Sequence, residues 1–335
     1  YVFLMSVMSS ATQSTTPSAV HSATRSTGLS QPYVYFVPLN GALSPAGYEA
    51  GLALGWLTDD EVAKVSRYRS VSACNNGLQV RLGLRAVLSL HSELKPNEWR
   101  FNYGAKGKPA LTPDLLAKTG LHFNLSHSGE WLMIGILIAS NAEQKTEPAS
   151  EDASNEWVCR PQQDICFGVD IERERSSTDI VPILNHYFTQ VETNTLLQLP
   201  EELQRQRFFD LWSVKESYIK ARGLGLALSL KSFSVDFSRS QQCHIPLQLI
   251  DNGSKPIELH KLVKLKFTDS KEPAASDFSW QTVMGRLDEE YRFAVTLGLA
   301  SSAASTLATE SYSIYNTLSC TQLSLGDLLN VYKES

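Results

Sequence analysis

The chain has 335 residues, 30 of them Lys or Arg against 35 Asp or Glu, for a formal net charge of -5, with 42% hydrophobic and 19% charged residues. That length admits two cores of ordinary size or one large decorated one, and the composition excludes a wholly disordered or fibrous chain. The acidic balance argues against a nucleic-acid binder, because neutralising phosphates takes clustered Lys and Arg.

Residues 6 to 30 hold eight Ser and five Thr with no acidic residue, a composition that cannot bury enough apolar surface to fold. A disordered tail over residues 1–32 is expected, with a transit peptide as the alternative; the start at Tyr1 leaves Met5 or Met8 as candidate initiators. Tyr33 to Pro38 (YVYFVP) is aromatic and β-branched and predicts a buried strand that opens the fold. Leu78, Leu82, Arg85, Ala86 and Leu90 follow at helical spacing, predicting a helix over about 77–92. GAKGKP at 104–109 reads as a loop, and His122 to Leu125 and Trp131 to Ala139 as strands flanking a turn at Ser126-His127-Ser128-Gly129. These elements make a first α+β half over residues 33–140.

Residues 141–164 carry six acidic and two basic side chains without an apolar periodicity, the signature of an exposed linker or inserted loop. Strands are then expected at Ile165 to Ile171, Phe233 to Phe237, His260 to Phe267, Phe278 to Met284 and Tyr291 to Leu299, with a helix from Phe208 to Arg222. The second half, residues 165–300, thus repeats the plan of the first. A C-terminal extension, 301–335, ends in an apolar segment, Leu323 to Tyr332, to which the pattern gives no role. No window approaches the ~20 apolar residues of a membrane-spanning helix, so a soluble chain without a membrane partner is expected. Cys74, Cys159, Cys166, Cys243 and Cys320 are odd in number and never spaced C-x-x-C, which predicts reduced thiols, a cytoplasmic setting and no zinc site.

Asp170 and Glu172 stand two apart on the strand FGVDIE, so the period of two sends both carboxylates to one side of the sheet. On the helix FFDLWSVKESYIKARG, Leu211, Val214, Tyr218 and Ala221 form the packing stripe, while Glu216 and Lys220 share an adjacent stripe at i, i+4. Singly, each feature reads as a solvated strand end or a surface salt bridge. Together they suit a hard divalent cation, which takes oxygen ligands, with lysine adding charge for a pyrophosphate. FNLSHSGEW offers hydroxyl, imidazole and backbone donors as a phosphate cradle, with a core or capping His127 as the bland alternative. It is not a hydrolase motif, since Ser126 and His127 are adjacent on an extended segment and no G-x-S-x-G occurs. The S-x-x-K at Ser92 and K-T-G at Lys118 lie too close in sequence to hold a domain between them and are set aside as chance.

The order GKP, FNLSHS, FGVDIE, WSVKESYIKARGLGL resembles the motif series of the Sfp-type phosphopantetheinyl transferases over roughly residues 33–300. The resemblance implies an α+β fold in which two similar halves are related by a pseudo-twofold axis, with coenzyme A in the cleft between them. It implies magnesium held by Asp170, Glu172 and Glu216, and coenzyme A contacted by Lys64, Arg67, Lys108, Ser126, His127, Lys215 and Lys220. Glu216 and Lys220 would serve catalysis, and Glu192 matches a glutamate linked to proton removal. The implied partner is an apo acyl- or peptidyl-carrier protein served by a monomeric enzyme, in fatty-acid, polyketide or nonribosomal-peptide synthesis. A coenzyme A-binding regulatory protein that no longer transfers, and a metal-dependent phosphohydrolase, are the competing readings; the latter would need a carboxylate better placed than Glu174. Asn76 departs from the pattern where relatives carry an arginine, with Arg69 or Arg81 as substitutes.

Overall fold

Along Tyr33–Pro38 (β1), alternate side chains enter different cores, Tyr35 and Val37 on one face and Val34 and Phe36 on the other, as the period of two requires. The computed structural model describes residues 28–39, 43–139, 165–267, 275–301 and 313–332. The tail before residue 28 and the whole expected linker, 141–164, therefore lie outside the described residues.

In the first half β1 is followed by the helices Pro45–Ala53 (α1), Asp59–Ser66 (α2) and Val71–Ser89 (α3). Helix α3 starts earlier than its apolar spacing predicts because Ser70 caps it, accepting from the Ala73 amide at 3.1 Å. A small hairpin, Phe101–Tyr103 (β2) and Pro109–Leu111 (β3), and helix Pro113–Thr119 (α4) lead to Leu121–Ser128 (β4) and Trp131–Ile138 (β5). The second half opens with Ile165–Arg173 (β6), then Ile180–Tyr187 (α5), Gln190–Leu197 (α6) and Glu201–Arg222 (α7). Phe233–Asp236 (β7), Gln241–Gln248 (β8), Ser254–Phe267 (β9), Phe278–Arg286 (β10) and Tyr291–Ala300 (β11) complete it.

With a last strand, Ser319–Gln322 (β12), the strands run in the order β4-β5-β1-β12-β8-β9-β10-β11-β6, and β7 pairs with β9. Within this path β4-β5-β1 and β10-β11-β6 have the same order, and each trio belongs to a strand–helix–hairpin series, β1-α3-β4-β5 and β6-α7-β10-β11. The expected α+β pair of similar halves is therefore present as a topological repeat. One core lies beneath α3, another beneath α7, and a further one, with Phe36, Met133, Val169 and Phe293, joins the two halves.

Three expectations are corrected. Residues 28–32 belong to the fold, since Leu29 bridges Ala139 and the Ser30 amide donates to the Ile138 carbonyl at 2.8 Å. The C-terminal segment supplies helix Ile314–Thr317 (α8), strand Ser319–Gln322 (β12) and helix Leu325–Val331 (α9). Strand β12 lies parallel to both β1 and β8 and so splices the two halves into one sheet, while Leu328 enters the core beneath α3. Third, Cys166 is disulfide-bonded whereas Cys74, Cys243 and Cys320 carry free thiols, so the expectation of five reduced thiols fails. No helix among the described residues is long and apolar enough to cross a membrane.

Candidate active site

Strands β4 and β6 are the two ends of the strand path, and they meet through side chains. Asn124 Oδ1 accepts from the Val169 amide at 2.9 Å, and Ser126 Oγ donates to Asp170 Oδ1 at 2.9 Å. Ser128 Oγ donates to Glu172 Oε2 and accepts from the Arg173 amide, both at 3.1 Å. The alternation Asn124, Ser126, Ser128 thus turns one face of β4 into a row of polar groups against β6. This corrects the expected turn at Ser126 to Gly129: the serines lie on the strand, and their hydroxyls are engaged by the second half. The chain reverses at Gly129, whose φ of 56° suits glycine.

Helix α7 approaches β6 from the other side. A Cβ on Gly168 would stand 2.1 Å from the Ser217 carbonyl oxygen and 2.3 Å from the Ala221 amide nitrogen, so only glycine permits this backbone contact. Leu211, Val214, Tyr218 and Ala221 are buried, as the helical stripe predicts. Lys220 Nζ donates to Asp170 Oδ1 at 2.7 Å and to Ser126 Oγ at 2.6 Å. Lys220 therefore pairs with Asp170 of β6 rather than with Glu216 on its own helix.

Asp170 is only 1% exposed, and its Oδ2 is buried without a hydrogen-bond partner. Burial and then the charge of Asp170 push the carboxyl of Glu216 up to about 7, against the opposing pull of Lys220. The same two causes push Glu172 up to about 7, with a smaller contribution from Glu216. Three acidic groups thus feel one another in a desolvated place with a single partial counter-charge. Among the described residues no group of three or more His, Cys, Asp or Glu side chains is drawn together closely enough to hold a metal ion. The chemistry of the donor set nonetheless fits a hard cation: an orphaned buried carboxylate oxygen, and two carboxyls that burial disfavours in their charged form.

His127 is exposed near the end of β4, and its imidazole is held below its ordinary value by desolvation and by the charge of Lys220. Lys64 lies over the Tyr103 ring, 5.1 Å from its centroid, and Arg67 follows the end of α2. Arg81 donates to its own helix at Gly77, and its Nε is buried without a partner. Two predicted residues are drawn elsewhere. Glu192, 4% exposed, caps α6, accepts from the Val235 amide at 2.8 Å and pairs with Lys215 at 3.0 Å. Lys215, fully buried, also donates to the Leu230 and Phe233 carbonyls, each at 2.8 Å. Their polar atoms bind α7 to the segment leading into β7, so we leave Glu192 out of the catalytic set and Lys215 out of the coenzyme A contacts. Glu174 pairs with Arg292 instead of joining the acidic cluster. Asn124 and Gly168 went unassigned in the sequence; the period of two in FNLSHS and the glycine before VDIE were the available signals.

Residues 42–140 match the family model described as 4'-phosphopantetheinyl transferase, N-terminal, and residues 166–283 that of the 4'-phosphopantetheinyl transferase superfamily. Over 194 residues the chain is 28% identical to the 4'-phosphopantetheinyl transferase Sfp of Bacillus subtilis, covering 58% of this chain and 72% of that protein. It is 29% identical to the 4'-phosphopantetheinyl transferase HetI of Nostoc sp., covering 51% of this chain and 61% of that one. The L-aminoadipate-semialdehyde dehydrogenase-phosphopantetheinyl transferase of Homo sapiens is 25% identical across 77% of this chain and 72% of its own length. The two matched segments lie one in each half of the fold and together take in more than half of the chain, which belongs to the 4'-phosphopantetheinyl transferase superfamily.

Proposed function

We propose that this enzyme moves the 4'-phosphopantetheinyl group of coenzyme A onto a serine of an apo acyl- or peptidyl-carrier protein, with magnesium as its cofactor. The observation that carries this reading is the buried, half-satisfied Asp170 at the seam, facing β4 on one side and α7 on the other. Asp170, Glu172 and Glu216 would hold the ion, which supplies charge neutralisation at the diphosphate when bound.

The carrier serine oxygen forms a bond to the β-phosphorus, the bond to the bridging oxygen breaks, and 3',5'-adenosine bisphosphate leaves. Such transfers leave the protein little covalent work, so positioning and charge dominate. Lys220, on the rim of the acidic cluster, is the cation we assign to the diphosphate oxygens. Glu216 takes the serine proton, directly or through a water, because its carboxyl stands beside Asp170 on the same side of α7 as Lys220. Lys64, Arg67 and His127, with Ser126, are the first-half residues we assign to coenzyme A. No feature of the site favours a non-transferring regulatory protein.

Incubating the chain with coenzyme A, magnesium and apo-carrier proteins tests this by mass spectrometry of the carriers. A gain of one phosphopantetheine is expected; no gain on any acyl- or peptidyl-carrier would refute the reading. Comparing carriers assigns the pathway served.

A further inference from the structure

Lys108 sits at the end of a loop tied by two backbone bonds, Gly104 amide to the Lys108 carbonyl at 2.9 Å and Gly107 amide to the Gly104 carbonyl at 2.8 Å. Its ammonium reaches across the seam and donates to the Phe167 carbonyl of β6 at 3.1 Å and to the Ala221 carbonyl of α7 at 3.2 Å. Phe167 precedes Gly168, whose lack of a Cβ lets β6 approach the backbone of Ser217 and of Ala221 itself. The Ala221 carbonyl is among the last four of α7, which have no intrahelical donor, and a cation is favoured at a helix C-terminus. Lys106 of the same loop lies against Gly225, just beyond the helix. Desolvation pushes Lys108 down to about 8, and burial together with the Lys108 charge holds the neighbouring His122 down to about 4.

We infer that Lys108 is a positioning residue, a strut from the first half that fixes β6 against α7 and thereby Asp170 against Lys220 and Glu216, rather than a ligand of the coenzyme A phosphates. Asp170 lies two residues beyond Gly168, and Lys220 directly precedes Ala221. Any slip at the strut is therefore passed to the acidic cluster within about a turn and a half of helix and a few residues of strand. The inference rests on the transferase reading for its catalytic consequence, but the contact itself is independent of it.

The test compares the full-length chain with Lys108→Met, which keeps the apolar stem and removes the donors, and with Lys108→Gln, which keeps one donor. With magnesium and an apo-carrier, kcat for coenzyme A should fall about 10- to 100-fold in Lys108→Met, as expected for a misplaced reacting group. KM should move by no more than about two-fold, since uniform binding is untouched. The loss should be the same with 3'-dephospho-coenzyme A, and Lys108→Gln should fall between the two. Amide exchange should quicken in β6 and the last turn of α7 and stay unchanged in β1 and α3. A raised KM with preserved kcat, or a defect that disappears with the dephospho substrate, would make Lys108 a phosphate ligand and overturn the inference. So would unchanged exchange, or lost protection throughout the chain. If the unaltered chain transfers nothing, the transferase reading fails, while the exchange measurement still decides the strut.

Discussion

Helices α3 and α7 occupy equivalent places in the two halves, yet they use their buried charge differently. Arg85 of α3, 1% exposed, pairs with Glu61 and donates to the Pro96 and Trp99 carbonyls, all within the first half. Helix α7 has a comparable internal strut, Lys215 with Glu192, and one residue along it Glu216 turns toward the seam. The strands differ in the same way: β1 (YVYFVP) carries no acidic residue, whereas its counterpart β6 carries Asp170 and Glu172. A repeated scaffold thus acquires a site only where one copy's carboxylates meet the other copy's serines. Symmetry supplied the frame, and departures from it supplied the chemistry.

That contrast can be broken from either side. Removing the internal struts should cost most in stability: Lys215→Met and Arg85→Met each leave a buried carboxylate unpaired, which destabilises by about 3–5 kcal/mol. Denaturant unfolding measures it, and a cost under about 1 kcal/mol would mean the surrounding backbone donors suffice. Asp170→Asn should leave the unfolding midpoint nearly in place while transfer falls about 100- to 1,000-fold, the range for losing a charged group at a developing charge. Retained activity would remove Asp170 from the proposed metal set.

The acid limb of stability should be set largely by the first half. Burial holds His91, 2.9 Å from the Tyr35 hydroxyl, down to about 4, and His122 likewise. Both stay neutral in the fold below the ordinary histidine value of about 6.5. The unfolded chain therefore binds more protons between pH 6.5 and about 4, and stability falls as pH drops through that window, by up to about 1.4 kcal/mol per unit for each histidine. His91→Gln should flatten that limb in thermal melts at stepped pH. The smallest effect belongs to the exposed pair Arg173 and Glu290, with side chains 41% and 57% exposed. Glu290→Gln should leave the unfolding midpoint almost unmoved, and added salt should erase any difference.

The strand at 165, the long helix that ends at Arg222, and the orientation of Asp170 with Glu172 were legible because each depends on local periodicity. Strand β8 was not, since Gln241, Gln242 and His244 leave little apolar alternation in a strand held by pairing with β9 and β12. Helices α5 and α6 are short, and β12 is a four-residue strand whose partners lie far away in sequence. Glu192 and Lys215 looked like site residues because their types and motif positions said nothing about which way they face. Lys108, which the resemblance assigns to coenzyme A, donates to the Phe167 and Ala221 carbonyls, partners that no local pattern names.

Sequence alone determined the two-half α+β plan and the carboxylates of β6, because side-chain direction within a strand or helix follows from backbone geometry a few residues long. Tertiary structure decided that Lys220 pairs with Asp170 and not Glu216, that Ser126 and Ser128 hold the acidic strand, and that the C-terminal segment splices the halves. Those choices join residues 44 or more positions apart. Which donor meets which acceptor at such separations is set by the packing of whole elements, and no short-range pattern encodes it.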